Sequence, residues 1–334
     1  MKIGLVTDSL GHLSFEKLLP AARAVGIEAL EFCCGNWSKA PHIDLDRMLA
    51  SDRARREFLA RVEDHDLSIS ALNCSGNHLA PGDYGRRHDA VVTKTFRLAK
   101  LMGIDRIVMM SGCPGGPGDA NPNWITTAWP PEATKVLEWQ WSKVVIPYWR
   151  KLAALARKSG VKRIAIEIHG GMVVYNTASL LKLRDAVGEV VGANLDPSHM
   201  LWMGGDPIKA VKPLGDAIHY VHAKDTRIDP WNAGLNTTLE TRPGERFAER
   251  AWNYVTLGYG HDDAWWRSFL FELKAAGYDD VLSIEHEDQI MAPLEGVKKS
   301  AELLDRVMPR EPTADRPRPK PSRAGSSSTT RPRR

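Results

Sequence analysis

Short runs of aliphatic and β-branched residues alternate with longer amphipathic segments along most of the chain. Runs of that length, bounded by turn residues, read as buried strands of a parallel sheet, and the segments between them carry the spacing of surface helices. The pattern predicts strands over 2–7, 28–33, 67–73, 105–110, 162–168, 190–195, 217–222 and 280–285. Helices are predicted over 14–25, 46–65, 86–102, 141–159, 176–187, 206–214, 262–276 and 293–307. Eight strand–helix pairs close one β/α barrel, an architecture of about 250 residues plus insertions, so a single domain over 1–308 accounts for the pattern. Helix-start chemistry supports the register: Ser14 with Glu16 and Lys17 behind it, Asn176 before the Ser179 run, and Asp206 followed by Pro207 at the first helical position.

Two connections are longer than strand–helix loops usually are, one after strand 4 from Ser111 to about Gln140 and one after strand 7 from Thr226 to about His261. The first holds Trp124, Trp129 and Trp139, with Trp141 opening the next helix; the second holds Trp231, Trp252 and Tyr254. Aromatic faces stack on sugar rings and flat ring systems, which makes Trp124 and Trp231 candidate substrate contacts.

Composition changes the picture mainly at the C-terminus. The chain carries a net charge of +4, but the segment from Met308 onward has eight Lys/Arg against two carboxylates, a net of +6, which leaves about −2 for the rest. That Pro/Ser/Arg-rich segment is too poor in apolar residues to pack, so 309–334 is expected to be a disordered basic tail. An acidic body argues against a nucleic-acid-binding groove. No stretch has the length and apolarity of a membrane span, and the start MKIGLVTDSL runs into a strand without a leader pattern, so a cytoplasmic protein is expected. Cys33, Cys34, Cys74 and Cys113 show no CxxC spacing and read as reduced core thiols.

The chemistry sits where strands end. IEIHGG, NLDPSHM, VHAKD and SIEHED each close an apolar run with a side chain able to bind a metal: Glu167, Asp196, His222 and Glu285. In a β/α barrel those ends converge on one face, so the four can reach one ion. Three carboxylates and an imidazole suit a divalent, fairly hard metal such as Mn²⁺, Mg²⁺ or Co²⁺. Strand alternation places His169 beside Glu167, Lys224 beside His222 and Glu287 beside Glu285, while His286 points away; His199 returns through a turn after Asp196. Lys224 reads either as a donor to substrate oxygen or as one half of an ion pair with Asp225. His12, Glu31 and, in the loop after strand 3, His78 are weaker candidates.

The set IEIHGGMVVYN, GANLDPSHMLWMGGDP, HYVHAKDT, TLGYGH and VLSIEHED resembles the sugar phosphate isomerase/epimerase family of xylose isomerase-like TIM barrels, over roughly residues 1–308 and including ISALNCSGNHLAP. The resemblance implies a metal held by Glu167, Asp196, His222 and Glu285. It covers ketose epimerases, inosose-processing enzymes and the catalytic subunits of C-glycoside deglycosidases, and so implies a small-molecule sugar or keto-glycoside substrate, with a homo-oligomer or a small β-subunit as partner. The arginine that ketose 3-epimerases place soon after the metal histidine has no clean counterpart, Arg227 being nearest.

The activity expected is isomerisation or epimerisation by proton abstraction next to a carbonyl, with Glu167, Glu285 and His169 as acid/base candidates and Mn²⁺ as the first choice of metal. Its alternative is a lyase that cleaves 3-keto-glycosides by β-elimination. An apurinic-site endonuclease would need a cluster of three zinc ions built from extra histidines, and strand 4 ends in MMSGC with none.

Overall fold

The computed structural model describes residues 1–310. Eight parallel strands close a barrel: β1 (Lys2–Val6), β2 (Ala29–Cys33), β3 (Ser68–Asn73), β4 (Arg106–Met110), β5 (Arg163–Glu167), β6 (Val191–Leu195), β7 (Ile218–Ala223) and β10 (Val281–Ile284), with β1 paired to β2 on one side and β10 on the other. An antiparallel hairpin of β8 (Asp225–Ile228) and β9 (Trp252–Val255) stands between β7 and β10 outside the barrel. Helices follow the barrel strands and bury their apolar faces, Phe96, Trp149, Leu180, Val211, Phe269 and Leu304 among them, against the barrel's outer surface.

Every predicted strand is present, and the helices differ in detail. The one expected over 46–65 is two, Leu45–Ala50 and Asp52–Glu63, because Ser51 is extended and its hydroxyl accepts the Ala54 N–H at 3.1 Å, starting a second helix. Asn176 and Asp206 cap as expected, whereas Ser14 occupies the N-cap position without a side-chain capping bond. Neither long connection is plain loop. The first contains the helix Pro131–Trp139, and the second contains the helix Pro230–Asn236 between the two hairpin strands. The four cysteines are buried and free. The basic tail falls outside the described residues from 311 onward; Arg310, the last described, pairs with Glu28 at 2.6 Å and Asp305 at 2.7 Å.

Inside the barrel, every second residue of each strand points to the axis. The layer of Val108 is small and apolar around one ring: Ala29, Ala71, Val108, Ala165 and Val281 enclose Tyr220. Two residues further along the same strands stand Glu31, Asn73, Met110, Glu167, His222 and Ser283, and two further again Cys33, Ser75, His169, Lys224 and Glu285. The core thus turns from apolar to charged along its axis.

Candidate metal centre and catalytic cavity

Glu167 is the last residue of β5, His222 the fifth of β7, and Asp196 and Glu285 directly follow β6 and β10. Each offers a ligand atom lying within 4.8 Å of those of the other three. Asp196 also caps the helix Pro197–Trp202: one carboxylate oxygen accepts the Ser198 N–H at 2.8 Å, and the other has no hydrogen-bond partner, with His199 Nε2 3.4 Å away. His222 Nε2 lies 3.1 Å from Glu31, whose carboxylate also accepts from Asn73 at 2.7 Å and Ser283 at 2.9 Å. With Nε2–H donating to Glu31, Nδ1 turns towards the carboxylates of Glu285, Glu167 and Asp196, at 3.3, 3.7 and 3.8 Å. Nδ1 has no hydrogen-bond partner. Two buried acceptor atoms facing one another without a donor are costly, and a divalent cation between them resolves both. The residues therefore fit a metal with one imidazole and three carboxylate ligands.

The surroundings push the two glutamates apart. Burial, followed by the charge of Glu285, raises the Glu167 carboxyl to about 8. Burial acts the same way on Glu285, but Lys224 and His222 outweigh it and hold this carboxyl well below the usual range. Asp196 is likewise lowered, burial being overcome by His199, His222 and Lys224. At His222 burial is overcome by Glu31 and Glu285, which hold the imidazole well above its ordinary value, the mark of a field that favours positive charge.

A second set of side chains orients the first. Trp202 Nε1–H can only donate, and it points at His199 Nδ1 at 3.4 Å; the Tyr254 hydroxyl meets the same nitrogen at 2.9 Å. The proton of His199 therefore sits on Nε2, which donates to Glu167 at 2.7 Å. Gly170 makes room for this arrangement, because a Cβ there would lie 2.3 Å from the Trp202 ring. Lys224 pairs with Glu285 at 3.0 Å and with Glu287, its ammonium 4.1 Å from the Tyr254 ring centre. It does not pair with Asp225. That carboxylate accepts the backbone N–H groups of Gly258, Gly260 and His261 and contacts the His261 ring at 2.8 Å, tying down the return from the hairpin.

Above the cluster lies a cavity of about 330 Å³ lined by Glu167, His169, His199, Lys224, Tyr254 and Glu285 among others. Asp8, Trp37, Ser75 and Glu287 line it too. The two-residue alternation that found His169 also extends through Asp8 and Ser75, and so could have found them. Tyr254 carries no such signal, because it arrives on a hairpin. Trp124 is not among the lining residues; it packs against the buried cluster of Met110, Cys113 and Met172, of which Met110 lines the cavity. Trp231 is 75% exposed on the helix Pro230–Asn236. His78 is buried, stacked on Tyr148 at 4.8 Å rather than at the cavity mouth. His286 faces the last helix, against Gly296, and Arg227 and His12 are exposed.

Comparison with known proteins gives the family. The uncharacterized protein YfiH of Bacillus subtilis is 48% identical over 311 residues, covering 92% of this chain and 99% of its own length. An inosose dehydratase of Clostridium perfringens is 35% identical over 78 residues, 23% of this chain and 26% of that protein. The solved structure of the IOLI protein with a bound zinc atom superposes with a TM-score of 0.63 at 20% identity, over 92% of this chain and 98% of that one. The family model described as xylose isomerase-like TIM barrel matches residues 19–307. With a closed eight-stranded β/α barrel and a family match across most of its length, the chain belongs to the xylose isomerase-like TIM barrels, the sugar phosphate isomerase/epimerase family.

Proposed function

We propose that the protein is a metal-dependent isomerase or epimerase that moves a proton on the carbon next to a carbonyl of a sugar or related polyol. The observation that carries this reading is the ligand cluster with its two unpartnered acceptors, His222 Nδ1 and Asp196 Oδ2, beneath a polar cavity. Glu167, Asp196, His222 and Glu285 would hold the ion, with Mn²⁺ proposed and Mg²⁺ or Co²⁺ as substitutes. Bound there, such an ion would supply Lewis-acid chemistry, acidifying a C–H next to a carbonyl and stabilising the resulting negative charge.

The chain's own residues do the rest. Glu167 and Glu285 come from β5 and the end of β10, separated in the barrel by β6 and β7, so they approach a ligand from different sides. One carboxylate takes the proton from carbon and the other group returns it, on the opposite face for epimerisation or at the neighbouring carbon for isomerisation. His199 fixes one oxygen of Glu167 through its Nε2–H and leaves the second for this work. His169, whose ring centre lies 4.0 Å from that of His199, is the alternative base, and Lys224 can donate to a substrate oxygen. Elimination is the second reading: the same carbanion expels a β-substituent, and Lys224 is a donor on the cavity wall able to meet a leaving oxygen. The partial match to an inosose dehydratase favours keeping it.

The test is metal analysis with turnover in D₂O on a panel of ketoses, inososes and 3-keto-glycosides. One metal per chain and solvent deuterium at the former C–H carbon are expected. Product that keeps the substrate's hydrogen throughout would replace proton transfer by a hydride shift.

A further inference from the structure

A second cavity, of about 220 Å³, opens between the connection after β4 and the start of the helix Thr177–Val187. Trp124, Trp141 and Tyr175 are among its walls, with Trp124 and Tyr175 edge to face at 5.7 Å and the Lys182 ammonium 4.2 Å above Trp141. Gln140, fully buried, also lines it. Its side-chain nitrogen donates to the carbonyls of Asn123, Pro114 and Gly115 at 2.8, 3.0 and 3.4 Å. Only an amide N–H can donate to a carbonyl, so those three bonds fix which end of the amide is oxygen. That oxygen has no partner, and neither has the buried Trp124 Nε1–H. Gln140 also begins a π-helical turn, Gln140–Val145, a local departure common at functional sites.

We propose that this cavity binds a flat, uncharged ring carrying a hydroxyl group. One hydroxyl answers both orphan atoms at once: its O–H donates to Gln140 Oε1, and its oxygen accepts from Trp124 Nε1–H. The ring itself stacks among Trp124, Trp141 and Tyr175. Cavities of roughly 150 Å³ admit benzene, so the volume suits one substituted ring. The Lys182 ammonium is exposed and already set over Trp141, and the N–H groups of Tyr175, Asn176 and Ser179 at the helix start are taken, Ser179 Oγ accepting from the first two and Asn176 Oδ1 from the third.

Trp124 packs against the buried cluster of Met110, Cys113 and Met172, and Met110 lines the catalytic cavity, so the two sites lie close together. The chain segment between them is short: His169 lines the catalytic cavity, and Val173 and Tyr175 line the ring site. A substrate made of a sugar joined to a hydroxylated ring would fill both. This last link rests on the function proposed above; the ring site does not.

Phenol, with toluene as the ring lacking a hydroxyl, tests the site on the full chain by ligand-observed NMR and tryptophan fluorescence. Saturable phenol binding is expected, weaker by about 5–100-fold for toluene, which forgoes both hydrogen bonds. Trp124→Phe, which keeps a ring and deletes the donor, should weaken phenol by about 2–10-fold, the value of one hydrogen bond, and leave toluene unchanged. Ala178→Trp, at an exposed position on the cavity rim, should block both ligands and leave metal content alone. Absence of saturable phenol binding in wild type, or binding that both substitutions leave untouched, overturns the ring site, whatever metal analysis and deuterium uptake show. Phenol binding as described, in a protein that takes up no metal, keeps the ring site and removes its link to the reaction.

Discussion

The two ends of the barrel bury charge in opposite ways. At the N-terminal end, Arg106 is buried, paired with Asp280, bonded to the Ser70 carbonyl at 3.3 Å and set over the Tyr220 ring at 4.9 Å. Arg163 adds a second bond to Asp280 at 3.1 Å, and the Tyr220 hydroxyl meets Ser70 at 2.7 Å. Only the Arg106 Nε goes without a partner in that group. At the C-terminal end, carboxylates outnumber cations, and His222 Nδ1, Asp196 Oδ2 and both amide atoms of Asn194 go unmet. Charge matched within the protein holds the fold together; the unmatched lone pairs beneath the catalytic cavity are those the proposed metal would answer.

Substitutions at the two ends should therefore fail differently. The largest effect is expected at the C-terminal end: Asp196→Asn or Glu167→Gln should remove most of the bound metal and lower turnover on the order of 10²–10⁴-fold with little loss of stability. Metal analysis beside a melting curve checks this, and retention of full metal and activity would break the contrast. At the other end, Arg106→Met should cost about 2–3 kcal/mol, less than the 3–5 of a fully buried pair, because Asp280 is 34% exposed. Its metal content should be unchanged, and Asp280→Leu added to it should recover part of the stability in urea unfolding.

His78 shows that unmet atoms alone do not mark a site, since both its nitrogens are unmet yet it stacks on Tyr148, meets Trp149 edge-on and lines none of the cavities described above. Burial, then repulsion from His88, lowers it from 6.5 to about 3. Above pH 6.5 neither folded nor unfolded chain protonates it. As pH falls towards 3 the unfolded chain takes up a proton that the folded one refuses, so stability is lost. Between pH 7 and 5 the wild type should lose about 2 kcal/mol that His78→Phe does not, measurable from urea midpoints at the two pH values. The smallest effect is expected for Tyr254→Phe, which keeps the ring near Lys224 but deletes one of the two donors to His199; kcat should fall about 2–10-fold with metal content unchanged.

Much of this was legible in the sequence because a barrel strand imposes its own arithmetic. Once IEIHGG and SIEHED are recognised as strand ends, period two places Glu167 with His169 and Glu285 with Glu287 on the inner face. The same arithmetic explains why His286 turns outward to Gly296. Trp124 and Trp231 were less legible, since a loop has no period: one lines the second cavity and the other is an exposed helix residue.

By itself the sequence determined the order of strands and helices, the barrel they close and the four strand-end side chains, because hydrophobic periodicity and side-chain alternation are local properties of the backbone. Only the tertiary structure decided that Glu31, far away in the chain, orients His222, that Tyr254 and Trp202 set the proton on His199, and that Lys224 pairs with Glu285 and Glu287 rather than with Asp225. Those choices depend on which groups meet across strands and on which buried polar atoms are left without a partner, and no segment carries that information until the barrel has closed.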